Sequence, residues 1–391
     1  MIEIHSMLPD LFLRRLEEKD QDGVMRSIES ARTMGDGARH LLNGMRRFGG
    51  YHAARDGEIE AEVVVDCVED LVPTIGGDDS WDLLLAAAGY LMELPTAAPR
   101  IELFDPPAGE RPPEFVPISS LEGALAKGDL VETCRTAGRL VRAMHSREYF
   151  LEILLEAVAP DITSTGRLLI LADSVVKGLH TIDWETGRGI AYRLFEALSE
   201  RPLTPAPPVS DGPLPVPCRA GYQASLALEA PELAWLYLCH SFQAERYAQL
   251  RPKAIRWGLR RWIADRLFEG DAAAMDAVEA EMGPYAPRSS GAIQEDLPIG
   301  IASHIVQQVA LGSADVAAEA AEWARLLPDV DPLYRAIAQG TVLNLAHGNP
   351  WPLLAVNAAR WGAHLLDPAG AGSLTQRLIE RLAEMRGTEA E

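Results

Sequence analysis

Apolar residues recur at three- and four-residue steps through almost the whole chain, and no run of alternating β-branched residues interrupts them. That spacing lines apolar side chains along one face of a helix, so the sequence predicts an all-α protein. The first helical segment runs from Leu8 to about Met34 with a break near Asp20, and others follow at about 36–48, 57–72 and 80–94. The last of these is expected to open at Asp79 and Ser80, whose side-chain oxygens can accept the first free N–H groups. A second set is read at about 120–127, 129–145, 147–158, 163–180 and 185–200. A third covers about 219–229, 232–250, 252–268 and 271–282, and five more lie at 299–312, 314–327, 332–347, 351–365 and 373–386.

Two proline-rich stretches, 96–117 and 202–217, cannot be helical throughout, because proline lacks the N–H that a helix interior requires. They divide the chain into an N-terminal block 1–95, a middle block 118–201 and a C-terminal block 218–391. Short turns inside each block predict antiparallel hairpins, stacked either as a curved repeat-like array or as a compact multi-helix bundle. With 391 residues, 48% of them apolar, the chain can bury a large core in two or three units or in one helical array.

Charge narrows the partners. The chain has 57 acidic against 36 basic residues, a formal net charge of −21. Such a surface repels phosphate backbones, so nucleic acid is not an expected partner. Four cysteines, at 67, 134, 218 and 239, show neither CxxC nor any other paired spacing. Neither a disulfide framework nor a familiar structural zinc pattern is therefore expected, and free thiols fit a reducing compartment. The first residues lack the basic and apolar regions of a secretory signal, and the apolar run Leu83 to Leu94 is too short to span a bilayer. The expectation is a soluble, cytoplasmic protein that does not enter a membrane.

One junction recurs. A helix ends in histidine, three residues follow, and an aromatic opens the next helix: His145 with Tyr149, His180 with Trp184, His347 with Trp351. The structural reading is an α-hairpin in which the imidazole satisfies a free carbonyl at the helix end and the aromatic packs over the turn. The competing reading makes any one of these histidines a ligand or catalytic group. Six of the nine histidines also have an amide or carboxylate three residues on: His40/Asn43, His145/Glu148, His180/Asp183, His240/Gln243, His304/Gln307 and His364/Asp367. Within a helix this spacing would let the second side chain orient the imidazole.

His240 and His304 stand apart, because each interrupts a strongly apolar helical segment and is expected to be at least partly buried. Either they are satisfied core histidines, or they line a cavity between helices, where bundles commonly build ligand sites. Glu232 and Glu245 are possible carboxylate partners for His240. No ExxH, HExxH or HxH pattern is present, so no metal site arises from a local motif and any metal or cofactor stays unassigned. The segment 251–266 is unusual in an acidic chain. Lys253, Arg256 and Arg260 cluster around Trp257 on one side of a helix whose other face is apolar. It reads as a solvated face or as a docking surface for an acidic protein partner or another copy of this chain, giving a homodimer.

The stretches WDLLLAAAGYLMELPTAAPR and LADSVVKGLHTIDWETGRGIAYRLFEAL resemble a bacterial helical domain that accompanies Rieske iron–sulfur modules, and questin-oxidase-like helical proteins. The resemblance implies an association with oxidative chemistry. A Rieske cluster needs CxH and CxxH pairs, which this chain lacks, so no ligand residues are carried over. Two functions follow. One is an oxidoreductase acting on a small organic molecule in an inter-helix cavity, with His240 and His304 as acid/base or ligand residues and His180 as a third candidate. The other is a non-catalytic helical-repeat scaffold that binds a protein partner around Trp257.

Overall fold

The computed structural model describes residues 2–52, 60–106, 116–143, 154, 167–200, 297–365 and 368–387. Among these residues the regular structure is helical, apart from one isolated bridge between His52 and Thr96. The N-terminal block forms α1 (Ile2–Glu17), α2 (Gln21–Arg32), α3 (Gly37–Gly49), α4 (Ala61–Ile75) and α5 (Asp79–Glu93). A 3-10 turn at Ile101–Phe104 leads to α6 (Ile118–Lys127), α7 (Leu130–Ala143), α8 (Arg167–Thr181) and α9 (Trp184–Glu200). The C-terminal helices are α10 (Ile299–Leu311), α11 (Ala317–Leu326), α12 (Asp331–Ala346), α13 (Trp351–Leu365) and α14 (Pro368–Gly387). Among the described residues no helix is long and apolar enough to cross a membrane.

Several boundaries differ from the sequence reading for identifiable reasons. The break at Asp20 is where expected, and the Asp20 side chain caps α2 by accepting the Gly23 N–H at 2.9 Å. Ser80 does not cap α5; its hydroxyl donates back to the Gly77 carbonyl at 2.8 Å, and the helix opens at Asp79 without a side-chain cap. Helix α1 starts at Ile2 rather than Leu8 and contains Pro9, while α14 starts at Pro368 rather than near 373. Proline is tolerated in a first turn, where its missing N–H has no intrahelical partner anyway, so Pro368 can open α14, whereas Pro9 lies in the interior of α1.

The centre of the molecule is α4. Its valines, Val63, Val64, Val65 and Val68, together with Ala61, Cys67, Leu71 and Ile75, are all buried. A helix that buries its apolar residues and also Glu62 and Asp66 of its polar side must be enclosed by neighbours on several sides. Accordingly α4 packs against α3, α5, α8, α12 and α13, so helices from all three sequence blocks meet on it. The buried apolar residues form one core cluster running from Leu8 to Leu382. Contacts between helices far apart in sequence, such as α5 with α12, make this a bundle rather than a solenoid, in which each unit would touch only its neighbours.

The stretch 96–117 is partly folded against the bundle. Phe104 is fully buried, meeting Trp184 edge-on at 5.5 Å and Phe195 at 6.0 Å. At the opposite side, α10 lies on α12 at a glycine. A Cβ at Gly340 would sit 2.7 Å from the Val309 Cβ and 2.9 Å from the Val306 carbonyl oxygen, so only glycine allows this approach.

Gly340→Ala should therefore destabilise the fold by about 1–3 kcal/mol through overpacking. At Gly89 in α5 a Cβ would meet nothing within 4 Å, and there alanine should stabilise by roughly 0.5–1 kcal/mol as the better helix former. Urea unfolding of the two variants should give shifts of opposite sign, and shifts of the same sign would contradict this packing.

Candidate functional site

The polar face of α4 carries Glu62, Asp66, Glu69 and Asp70, spaced to lie on one side of the helix and turned into the bundle. Opposite them, Arg46 of α3 is fully buried and pairs with Glu62 and Glu69, with Asp66 Oδ1 3.5 Å from its Nη2. Lys177 of α8 donates to Asp66 Oδ2 at 2.8 Å and lies 3.7 Å from Asp70 Oδ2. The Ser174 hydroxyl also donates to Asp66, at 3.3 Å. Asp70 Oδ2 in turn accepts from Asn357 Nδ2 and Trp361 Nε1 of α13, both at 3.3 Å. One acidic helix face thus ties α3, α8 and α13 to α4.

The electrostatics of this network follow from burial. Burial alone would lower the Arg46 pKa, but Glu62, Glu69 and Asp66 raise it, and the guanidinium stays charged. Glu62 is pushed up to about 7 by burial, against the pull of the Arg46 charge. Its Oε2 is buried with no hydrogen-bond partner, so its charge is compensated from one side only. Cys67, on the same helix, is raised by burial and by Asp70 and Asp66, which leaves it a thiol. The network is closed and internally paired. It can hold one proton near neutrality, but Glu69 and Asp70 alone reach partly toward solvent.

A second polar cluster joins α12 to α13. Ligand atoms of Asp329, Asp331 and His364 lie within 4.8 Å of one another, a spacing that could hold a metal ion. The Arg360 guanidinium, however, bonds both Asp331 oxygens, at 2.7 and 3.2 Å, and His364 Nε2 lies 2.8 Å from Oδ1. The hydrogen bonds from His364 and Arg360 and the Arg360 charge hold Asp331 well below the usual carboxylate range despite its burial. A carboxylate already bridged by a guanidinium makes a clasp between helices and a poor cation ligand.

Of the expected site residues, His304 and His180 are among the described residues, and neither belongs to either cluster. His240 and the docking residues Lys253, Arg256, Trp257 and Arg260 lie outside the described residues, as do His145, Glu232 and Glu245. His304 is on α10, but its side chain is 49% exposed and faces Glu319 of α11 at 3.7 Å. The expectation of burial fails because α10 turns Ile305 and Val309 inward and His304 out. His180 is exposed at the end of α8, whose packing is against α3, α4 and α9.

The two described junctions are built by the turn residue before the aromatic. Asp183 accepts the Thr186 N–H at 3.0 Å to cap α9, and Asn349 accepts the Trp351 N–H at 3.1 Å. His347 is the C-cap residue of α12, its backbone N–H bonding Leu343 and Asn344. Of the histidines with a polar residue three positions on, His40 faces Asp36 at 3.0 Å and His364 faces Asp331, while His145, His240 and Asp367 lie outside the described residues.

A groove of about 420 Å³ opens between α5 and α12. Asp82, Leu85, Ala86 and Gly89 line it from α5. Gln339, Val342, Leu343 and Ala346 line it from α12, and Asp79 closes one end by accepting a hydrogen bond from the Gln339 amide. Leu85 is 36% and Leu343 54% exposed there, an unusual condition for leucines on facing helices. Comparison of the chain with protein-family models, with curated proteins and with solved structures found no match.

The raised Glu62 pKa has a signed consequence. The folded chain binds a proton more tightly than the unfolded one between the ordinary value of 4.5 and about 7, so stability falls as pH rises through that window and is level above it. Glu62→Gln removes the titration. The stability of wild type relative to this variant, followed by denaturant unfolding, should decline from pH 4.5 to 7. A difference that rises with pH would show that Arg46, not burial, controls this carboxyl.

Proposed function

We propose that this protein is a non-catalytic α-helical scaffold that docks a protein partner in the groove between α5 and α12. The observation that carries this reading is the contrast between the two kinds of surface. The α4 network is enclosed and mutually paired, and Asp331 of the part-exposed second cluster is bridged by Arg360, whereas the groove leaves leucines at the surface beside unburied carboxylates. Catalysis needs a reacting group within hydrogen-bond reach of substrate, and the buried α4 network gives a substrate little access. Binding needs apolar area that water leaves readily, framed by polar groups that fix orientation, which the groove supplies.

The oxidoreductase reading draws less support from the geometry. Of its three histidines, His304 and His180 are at the surface on helices with different neighbours, and His240 lies outside the described residues. The alternative docking surface at Trp257 also lies outside them.

A photoreactive amino acid at position 343, introduced in the source cells, tests the proposal. One discrete partner should be cross-linked through a single segment, and the adduct should disappear when Gly89→Trp fills the groove. Gly89 is suited to this because its Cβ direction is open, so the tryptophan enters the groove without displacing the core. Absence of any protein adduct at 343, or adducts unaffected by Gly89→Trp with an unchanged melting temperature, would overturn the docking function.

A further inference from the structure

The shape and charge of the groove restrict what can occupy it. On α5 the lining positions 82, 85, 86 and 89 repeat at i, i+3, i+4 and i+7, and on α12 the positions 339, 342, 343 and 346 do the same. Two neighbouring helices that each offer this stripe form the seam into which a third helix packs, ridges into grooves. The stripe covers about two turns, or about 10 Å, of each helix. Its far end is built from small residues, Gly89, Ala86 and Ala346, which permit close backbone approach. Gly89 has no neighbour within 4 Å of its Cβ direction, so no contact within the described chain requires glycine there. The same is true of Gly123 in α6, and glycine alone would carry no argument. At Gly89 it coincides with the exposed Leu85 and Leu343.

The opposite end is acidic. Asp79 is engaged by Gln339, while Asp82, one turn further along α5, is exposed and makes no hydrogen bond or ion pair among the described residues. The whole chain adds a net charge of −21, which attracts cations and repels acidic surfaces over a Debye length of about 8–10 Å.

Resting on the docking function above, we infer that the occupant is an amphipathic helix of a partner protein. Its apolar face lies over Leu85 and Leu343, and a lysine or arginine at one end meets Asp82. An apolar stripe provides the affinity by removing the two leucines from water, and the cation fixes which way the helix lies. A free carboxylate at one end and small residues at the other make the two orientations unequal.

The test uses the full chain and two labelled helical peptides of about 14 residues, roughly four turns. Both carry leucines at i, i+4 and i+7; one has lysines at one end and the other has glutamates in the same places. By fluorescence anisotropy the lysine peptide should bind about tenfold or more tightly than the glutamate peptide, and its affinity should fall with added salt. Asp82→Asn should weaken the lysine peptide roughly two- to fivefold, the range of an exposed ion pair, and leave the glutamate peptide no weaker. Gly89→Trp and Leu343→Glu, each checked for an unchanged melting temperature, should abolish binding of both. Equal binding of the two peptides, lost in Gly89→Trp, would overturn the cationic occupant and leave the docking function standing. Binding of neither peptide, or binding that survives both groove variants, would overturn the helical occupant. Self-association of wild type in light scattering, abolished by Gly89→Trp, would replace the partner by a second copy of this chain.

Discussion

A guanidinium in the middle of a protein must be paired or the protein does not fold, and Arg46 is fully buried. Its partners, Glu62, Asp66 and Glu69, all come from one face of α4. Because that face is acidic at four positions, it also needs Lys177 from α8 and the polar groups of Asn357 and Trp361 from α13. The valine-rich remainder of α4 could pack against many apolar surfaces with little preference among them. The charged face accepts few arrangements, since an uncompensated buried charge costs several kcal/mol. Apolar burial thus supplies the drive to enclose α4, and the ionic face selects which helices enclose it and in what register.

This division explains what the sequence made legible. Helix positions followed from apolar spacing, and the break at Asp20 is visible because an acidic cap is a local signal. The choice between array and bundle depends on non-local contacts, such as α5 with α12, that no local pattern encodes. The α4 network has a trace in the sequence: Glu62, Asp66, Glu69 and Asp70 fall at i, i+4, i+7 and i+8 within an otherwise valine-rich segment. Carboxylates on one side of a helix whose other sides are apolar have to meet cations from neighbouring helices. Histidine is the usual titratable catalyst, yet here His304 is turned outward and His347 ends a helix. In the two described junctions Asp183 and Asn349, turn residues between histidine and aromatic, accept backbone N–H groups at the start of the following helix.

The groove was invisible from sequence for a related reason. Its two walls are separated by more than two hundred residues, and each wall alone reads as an ordinary helix with one or two exposed leucines. Only when α5 and α12 pack on each other and on α4 do the stripes face a common space. The same packing places Gly340 against α10, which closes the other side of α12 and leaves this side open. The enclosed network and the exposed groove are therefore two outcomes of one arrangement: charges that would be reactive in the open are used to fix helices, and the helices so fixed present an unfilled seam.

Hydrogen exchange on the full chain, with and without the lysine-bearing helical peptide, tests this account most directly. The α4 amides should be among the slowest in both states, because α4 is enclosed by five helices. Added peptide should slow exchange in 79–89 and 339–346 and leave α7 and α9 unchanged. Protection confined to helices away from α5 and α12, or fast exchange throughout α4, would contradict it.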